Sequence, residues 1–369
     1  MITENDISNG PGKVKNILPD TDKHRIMILG DAPTKDDAFY KKPFATSAGY
    51  FLNDALSKVG IRKSECALAN VVQVPFRLTP GSWNDPNVQA GIAQLKQDIA
   101  TWKPNVVLCL GNEALHLMSQ GGLPVKDYPN KIHKWRGSVF GSKLIPGLKC
   151  VASYHPAQIL RDYSEQAYFR FDLEKLKEES LTPTLDLPKR EVEILKTREQ
   201  VADFDLWFLT SQAHTRLPVA IDIEGSQHNI TAISFAWSSE KAYVIPFAHN
   251  NGESYWNEDD EIFAWEVVRY IIEHPQIPKI AQNGTYDFYA LAWGLGICVQ
   301  NYAHDTILGW WELYPELKKG LDVQASILTK EPITSRTNAK AISSLTVTNT
   351  SGATTASIRR SLSSVGTSR

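Results

Sequence analysis

Short apolar runs alternate with longer stretches of helical period through the first half of the chain. Arg25-Ile-Met-Ile-Leu-Gly30, Cys66-Ala-Leu-Ala-Asn-Val-Val72, Asn105-Val-Val-Leu-Cys-Leu-Gly111 and Lys149-Cys-Val-Ala-Ser-Tyr154 are six or seven residues each. Runs of that length, bounded by turn residues, read as buried strands rather than helices. Between them, residues 48–60, 88–102, 112–118 and 164–180 repeat apolar positions at helical spacing, the first closing on Gly60. Asp31-Ala-Pro-Thr-Lys-Asp-Asp37 and residues 79–87 read as loops. Strands alternating with helices predict a parallel sheet covered on both faces. In such sheets the ligand crevice lies beyond the carboxyl ends of the strands. Asp31, Asn70, Gly111 and His155 fall at those ends.

The pattern changes after residue 180. Leu181-Thr-Pro-Thr-Leu-Asp-Leu-Pro-Lys-Arg190 is a Pro-containing linker. Glu191-Val-Glu-Ile-Leu195 reads as an edge strand, and Thr197-Arg-Glu-Gln200 is a capping box opening a helix. Strands over 219–225, 229–238 and 241–247 form a meander, followed by a helix over 258–273 and a strand over 279–282. The expected organisation is therefore a lead-in over 1–22, a first domain over 23–180, the linker 181–190, a second domain over 191–332 and a tail over 333–369. The fold class is α/β in both domains.

Composition bounds the function. The chain has 369 residues, more than one ordinary domain, and 42% hydrophobic residues, enough for packed cores. Its formal charge of −2 gives no global basic field for nucleic acid, although local patches can serve. Cys66, Cys109, Cys150 and Cys298 show no Cys-x-x-Cys spacing, which fits a reducing cytosol better than a disulfide framework. No apolar run reaches the length of a spanning helix and the N-terminus has no signal-peptide pattern, so a cytoplasmic location without membrane partners is expected.

The chemistry concentrates in Val219-Ala-Ile-Asp-Ile-Glu-Gly225. On a strand, Asp222 and Glu224 project to one face. Paired carboxylates suit hard divalent cations, although a solvated strand end would look the same. Asn283-Gly-Thr-Tyr286-Asp287 then places a third acid in the first turn of a helix, and Asp305-Thr306 opens another. Together these resemble the proofreading 3′–5′ exonuclease domain of family A DNA polymerases, with its Asp-x-Glu, Asn-x-x-Tyr-Asp and Asp-Thr motifs in this order. The resemblance implies a ribonuclease H-like fold with a mixed sheet and two-metal hydrolysis of DNA 3′ ends using Mg2+ or Mn2+. It implies Asp222 on both metals, Glu224 on one and Asp287 on the second through water. Asn283 would hold the strand and Tyr286 support the motif. Asp305 is expected to be a helix cap, not a ligand.

The first half carries a second resemblance. Gly30-Asp-Ala-Pro, Lys42-Pro-Phe44, Ser47-Ala-Gly49, Ala69-Asn70-Val-Val and Tyr154-His155-Pro156-Ala, with Ile159-Leu-Arg161 behind, resemble the motifs of the uracil-DNA glycosylase superfamily, nearest to its iron–sulfur branch. This implies a doubly wound parallel-sheet fold. Phe44 would stack on a flipped uracil and Asn70 would bond its polar edge. Asp31 would position water and stabilise the cationic sugar, and His155 would stabilise the departing uracil. Ile159, Leu160 and Arg161 would wedge the duplex. Each also admits a bland role as cap, core or backbone partner, and Gly111-Asn-Glu113 reads as a helix start or a phosphate contact.

The departures are specific. Thr34 stands where the nearest branch has Gly, Asp31 is shorter than the usual Glu, and Val74 replaces a cluster cysteine, so no iron–sulfur cluster is expected. No Tyr-x-x-x-Asp, the third exonuclease motif, follows residue 306. Residues 333–369 contain 17 Ser or Thr, no Asp or Glu and five Lys or Arg, the composition of a disordered basic tail. A one-base shift of its codons permits Leu-Trp-Arg-Tyr-Asn-Cys-x-Asp, which restores the motif. The pairing of the two domains resembles the N-terminal part of a family A polymerase of tailed-phage type without its polymerase domain. That implies a host-cytoplasm location, DNA as partner (single-stranded 3′ ends and uracil-containing duplex) and other replication proteins, while the missing third motif implies weak or absent nuclease activity. A free-standing repair glycosylase and a non-catalytic DNA-binding module remain alternatives.

Overall fold

The computed structural model describes residues 12–21, 23–226, 228–249 and 251–330. The expected tail over 333–369 and most of the lead-in lie outside these residues. The chain divides into two compact units, Met1–Asp186 and Leu187–Arg369, and the division falls inside the Pro-containing segment.

The first unit is built on strands β1 (Ile26–Gly30), β2 (Ala67–Asn70), β3 (Val106–Leu110), β4 (Val139–Gly141) and β5 (Lys149–Ser153), in spatial order β2-β1-β3-β5-β4. All neighbours pair in parallel except β4, which runs antiparallel to β5. The sheet is the parallel one expected, with β4 as an antiparallel edge strand. Every residue of β1, β2, β3 and β5 is buried, as their unbroken apolar runs require. Helix Pro86–Trp102 starts on the Asp85 cap with Pro at its first turn and ends at Lys103 in the left-handed region. Its Val88, Ile92, Leu95, Ile99 and Trp102 form one face, packed with Met27, Leu29, Ala69, Val107 and Cys109. Each such buried aliphatic contributes roughly 1.5–3 kcal/mol. Helix Gln166–Glu179 packs against β3 and β5 and also against helix Ser47–Lys58.

The segment read as a loop, residues 31–37, instead runs into helix Lys35–Tyr40. Thr34 caps it: its hydroxyl accepts from the Asp37 N–H at 3.1 Å and the Asp37 carboxylate accepts from the Thr34 N–H at 2.9 Å. The residue that departs from the family glycine is thus a helix cap. Short helices Ile132–Trp135 and Pro156–Ile159 are further additions.

The second unit has strands β6 (Glu191–Ile194), β7 (Val219–Ser226), β8 (Asn229–Ala236), β9 (Lys241–Pro246), β10 (Lys279–Ala281) and β11 (Tyr302–Asp305), in order β11-β10-β7-β8-β9-β6. β7, β8 and β9 are antiparallel neighbours, while β6, β10 and β11 join in parallel, giving the mixed sheet. β11 had no counterpart in the sequence pattern. Val219, Ile221 and Ile223 point into a core with Phe204, Phe208, Phe235, Val268 and Ile271. The period of two therefore leaves Ala220, Asp222 and Glu224 on the other face. Helix Arg198–Trp207 begins on the Thr197–Gln200 capping box. Among the described residues no helix is long and apolar enough to cross a membrane.

Candidate active sites

In the first unit, β1 passes to β2 on one side and the chain then returns to β3 on the other. Between β1 and β3 the sheet reverses its winding, and a crevice opens there at the carboxyl ends of the strands. A cavity of about 730 Å³ lies there, lined by Asp31, Phe44, Asn70, Glu113, His155 and Arg161 among others. Asp31, Phe44, Asn70, His155 and Arg161 thus meet at one cavity.

Phe44 is placed by backbone constraints. It adopts φ +55, unusual for a non-glycine residue. Two groups hold it there. The Asp37 carboxylate accepts from the Ala45 N–H at 2.7 Å, and the Lys63 ammonium donates to the Phe44 carbonyl at 2.8 Å and the Gly49 carbonyl at 3.2 Å. Burial pulls the Lys63 ammonium below its ordinary range, with Asp37 opposing. A Cβ on Gly49 would come within 1.8 Å of the Phe44 carbonyl oxygen, so the turn requires glycine. A Cβ on Gly30 would press the Asn70 amide oxygen and the Phe44 ring edge, at 2.6 and 2.8 Å. These two side chains therefore converge over a bare strand end.

His155 caps helix Pro156–Ile159 through Nδ1, which accepts from the Ala157 N–H at 3.2 Å. A neutral ring then carries its proton on Nε2. Nε2 faces Asp31 Oδ1 at 3.7 Å, and the ring lies 6.5 Å from Phe44, centroid to centroid, at 29°. Burial lowers the imidazole below its ordinary value, with Asp31 opposing. Of the expected wedge, Ile159 is fully buried and has no access to a duplex. Leu160 and Arg161 line the cavity instead, with Arg161 Nε donating to the Ala157 carbonyl at 3.0 Å.

In the second unit, Ile280 pairs with Ala220, so the parallel register carries residues 282–287 up beside Asp222. Asn283 takes φ +58 and opens helix Gly284–Leu295 without a side-chain cap bond. Its contribution is conformational, since Asn tolerates the left-handed region. Asp305 closes the turn: Oδ1 accepts from the N–H groups of Asn283 at 3.0 Å and Ile307 at 2.8 Å, and Oδ2 from Gly284 at 3.0 Å and the Tyr302 hydroxyl at 2.5 Å. All its lone pairs are engaged, as befits a cap.

Asp287 is buried, Asp222 half-buried and Glu224 exposed, and Glu224 acts on both of the others. Burial, then Asp287 and Glu224, push Asp222 well above the usual carboxylate range. Burial, then Asp305 and Glu224, raise Asp287 to about 7, and burial raises Glu224. Crowded, desolvated carboxylates of this kind are the donor chemistry a hard divalent cation relieves. Among the described residues no group of three or more His, Cys, Asp or Glu forms a ready cage. Tyr286 is exposed beside Asp287.

Residues 19–177 match the uracil DNA glycosylase superfamily, and residues 192–334 match a 3′–5′ exonuclease model of DNA polymerase A type. A glycosylase-superfamily domain is fused to a 3′–5′ exonuclease domain. The first is similar to the type-4 uracil-DNA glycosylase of Pyrobaculum aerophilum, 29% identical over 167 residues, covering 43% of this chain and 81% of that protein. The type-4 enzyme of Archaeoglobus fulgidus is 26% identical, covering 42% and 77%. Among solved structures, the Aedes aegypti Nibbler EXO domain is 11% identical with a TM-score of 0.33, over 49% of this chain and 93% of that one.

An iron–sulfur cluster needs four thiolates. The glycosylase-superfamily domain has three cysteines, Cys66, Cys109 and Cys150, all buried. Burial pushes the Cys66 thiol up to about 12 and raises Cys150 as well, which marks protonated core thiols. This donor set does not fit a four-thiolate cluster. Asp37 and Lys63 of the first domain were not singled out by sequence reasoning, and Glu113 was read only as part of a helix start or phosphate contact. Thr34-x-x-Asp37 was legible as a capping box; nothing local marks Lys63.

Proposed function

We propose that the first domain captures an extrahelical uracil from DNA and releases it by cleaving the glycosidic bond. The observation that carries this is the convergence of Asp31, Phe44, Asn70 and His155 on one cavity at the strand ends. A base rotated out of the stack would lie on the Phe44 ring. The buried Asn70 amide would read its polar edge. The Nε2–H of neutral His155 would donate to the uracil oxygen as charge develops there, and Asp31 would face the cationic sugar.

We propose that the second domain trims DNA 3′ ends. Asp222, Glu224 and Asp287 would hold Mg2+ or Mn2+, which when bound would supply an activated water and steady the leaving oxygen. Asp222 is fixed by the β7 ladder, and Asp287 by the Asp305-closed turn. The pairing of the domains supports a family A polymerase setting of tailed-phage type, with proofreading as the role. Reading the gene beyond codon 330 for polymerase motifs in any frame tests that setting.

The deciding experiment uses the full chain and a labelled duplex with one uracil. In EDTA, heat-labile abasic sites should appear only with uracil and disappear in His155→Ala. With Mg2+ or Mn2+, single-nucleotide shortening from the 3′ end should appear and disappear in Asp222→Asn. A second reading, DNA binding without base release, is favoured by the short Asp31 side chain drawn to His155. It predicts salt-dependent binding and no abasic product.

A further inference from the structure

The cavity of the first domain holds a second carboxylate that no motif announces. Glu113 lies in the first turn of helix Gly111–Gln120, directly after β3. Asp31 follows β1, the neighbour of β3, so the two acids approach the cavity from either side of the point where the sheet reverses its winding. Gly111, at φ +90, leaves open the space between Glu113 and His155. A Cβ there would sit 3.5 Å from the His155 Cβ and 3.7 Å from Glu113 Oε2. The Glu113 carboxylate therefore turns back toward the strand ends and His155 rather than out along the helix.

The two acids are not equivalent. Asp31 is short, half-exposed and faces His155 Nε2. Glu113 is one methylene longer; burial raises it above the ordinary carboxylate value, its own backbone N–H opposes, and Asp31 raises it further. Neighbouring carboxylates with different surroundings divide acid–base work between them. A base works best when its proton affinity lies near the operating pH.

We propose that Glu113 is the general base that takes the proton from the attacking water, leaving Asp31 to stabilise the sugar cation. The inference rests on the uracil-releasing role of this cavity. The C1′–N1 bond breaks with its electron pair leaving on uracil. The water oxygen then bonds C1′ as one of its protons passes to the Glu113 carboxylate. That proton returns through solvent to the uracil anion, so atoms and charge balance. A Glu supplied by the helix after β3 would offset the missing methylene of Asp31.

The test is single-turnover base release from a uracil-containing duplex by the full chain in EDTA, from pH 4.5 to 9. The other titratable groups facing this space are Asp31, Asp37, His155, Arg161 and Tyr128. Wild type should lose rate on the acid side as Glu113 protonates. Glu113→Gln should fall ~10²–10⁴-fold at neutral pH and lose that acid limb while still binding the duplex. Glu113→Asp should keep the limb at an intermediate rate, an outcome a packing role would not give. Glu113→Gln within twofold of wild type, with the limb intact, overturns the proposal and leaves the uracil-releasing role standing. Absence of base release in wild type overturns both.

Discussion

The backbone N–H of Asn283 donates to Oδ1 of Asp305 at 3.0 Å, a contact between residues 22 positions apart. It ties the start of helix Gly284–Leu295 to the end of β11, and Asp287 sits in the first turn of that helix. Asp305→Ala would strip acceptors from three backbone N–H groups and the Tyr302 hydroxyl. Bonds to a charged acceptor contribute ~1.5–3 kcal/mol each and are only partly replaced by water, so a loss of about 3–5 kcal/mol is expected. Asp305 is also a cause of the raised Asp287 value, so its removal should lower that value. Chemical denaturation reads the first effect and NMR titration of the Asp287 carboxyl the second. Unchanged stability would show that the turn is held by something else.

Gly49→Ala tests the placement of Phe44. The added methyl has no room, because backbone rather than a flexible side chain occupies its position. The turn must open, releasing the carbonyls that Lys63 holds. Overpacking of this kind costs about 1–3 kcal/mol, and uracil release should fall more steeply than stability. Lys63→Met should reproduce the loss of release with a smaller loss of stability. Melting curves beside base-release rates for the two variants separate these effects.

What the sequence discloses follows from how local each feature is. The unbroken runs of β1, β2, β3 and β5 and the period of two in β7 are local patterns, and the faces they assign are the faces observed. β4 and β11 are three and four residues, and Tyr-Ala-His-Asp in β11 has no apolar alternation; their pairing is set by the strands beside them. Helix Lys35–Tyr40 was hidden by Pro33 and the acidic run, although its capping box was in plain view. Lys63 and Glu113 carry no motif. Each reaches the cavity only because the sheet brings distant segments to one edge, information a linear pattern does not contain.

The three carboxylates of the exonuclease domain make a pH prediction. Asp287 titrates at about 7 in the fold against an ordinary value near 4 when unfolded. Between these values the folded state binds the extra proton, so stability of the metal-free chain falls as pH rises from about 4 to 7. Divalent ions require the ionised form and compete with that proton. Mg2+ should therefore raise the melting temperature little at pH 5.5 and clearly at pH 8. Asp287→Asn should flatten the pH dependence in EDTA, and Asp222→Asn should abolish the response to Mg2+. Equal Mg2+ shifts at both pH values would separate these acids from the ion.

Lys279 gives the opposite sign. It is fully buried in β10, its ammonium donates to the His274 carbonyl, and burial lowers it to about 8. An unfolded lysine titrates near 10.4. Between about 8 and 10.4 the unfolded state binds more protons than the folded one, so this group makes stability rise with pH across that window. The full difference is on the order of 3 kcal/mol. Lys279→Met removes both the titration and the buried charge but leaves the His274 carbonyl without its donor. The variant should match or exceed wild-type stability at pH 7 and lose the alkaline rise. Denaturation midpoints at pH 7, 8.5 and 10 decide it, and an alkaline rise that survives the substitution would assign the titration elsewhere.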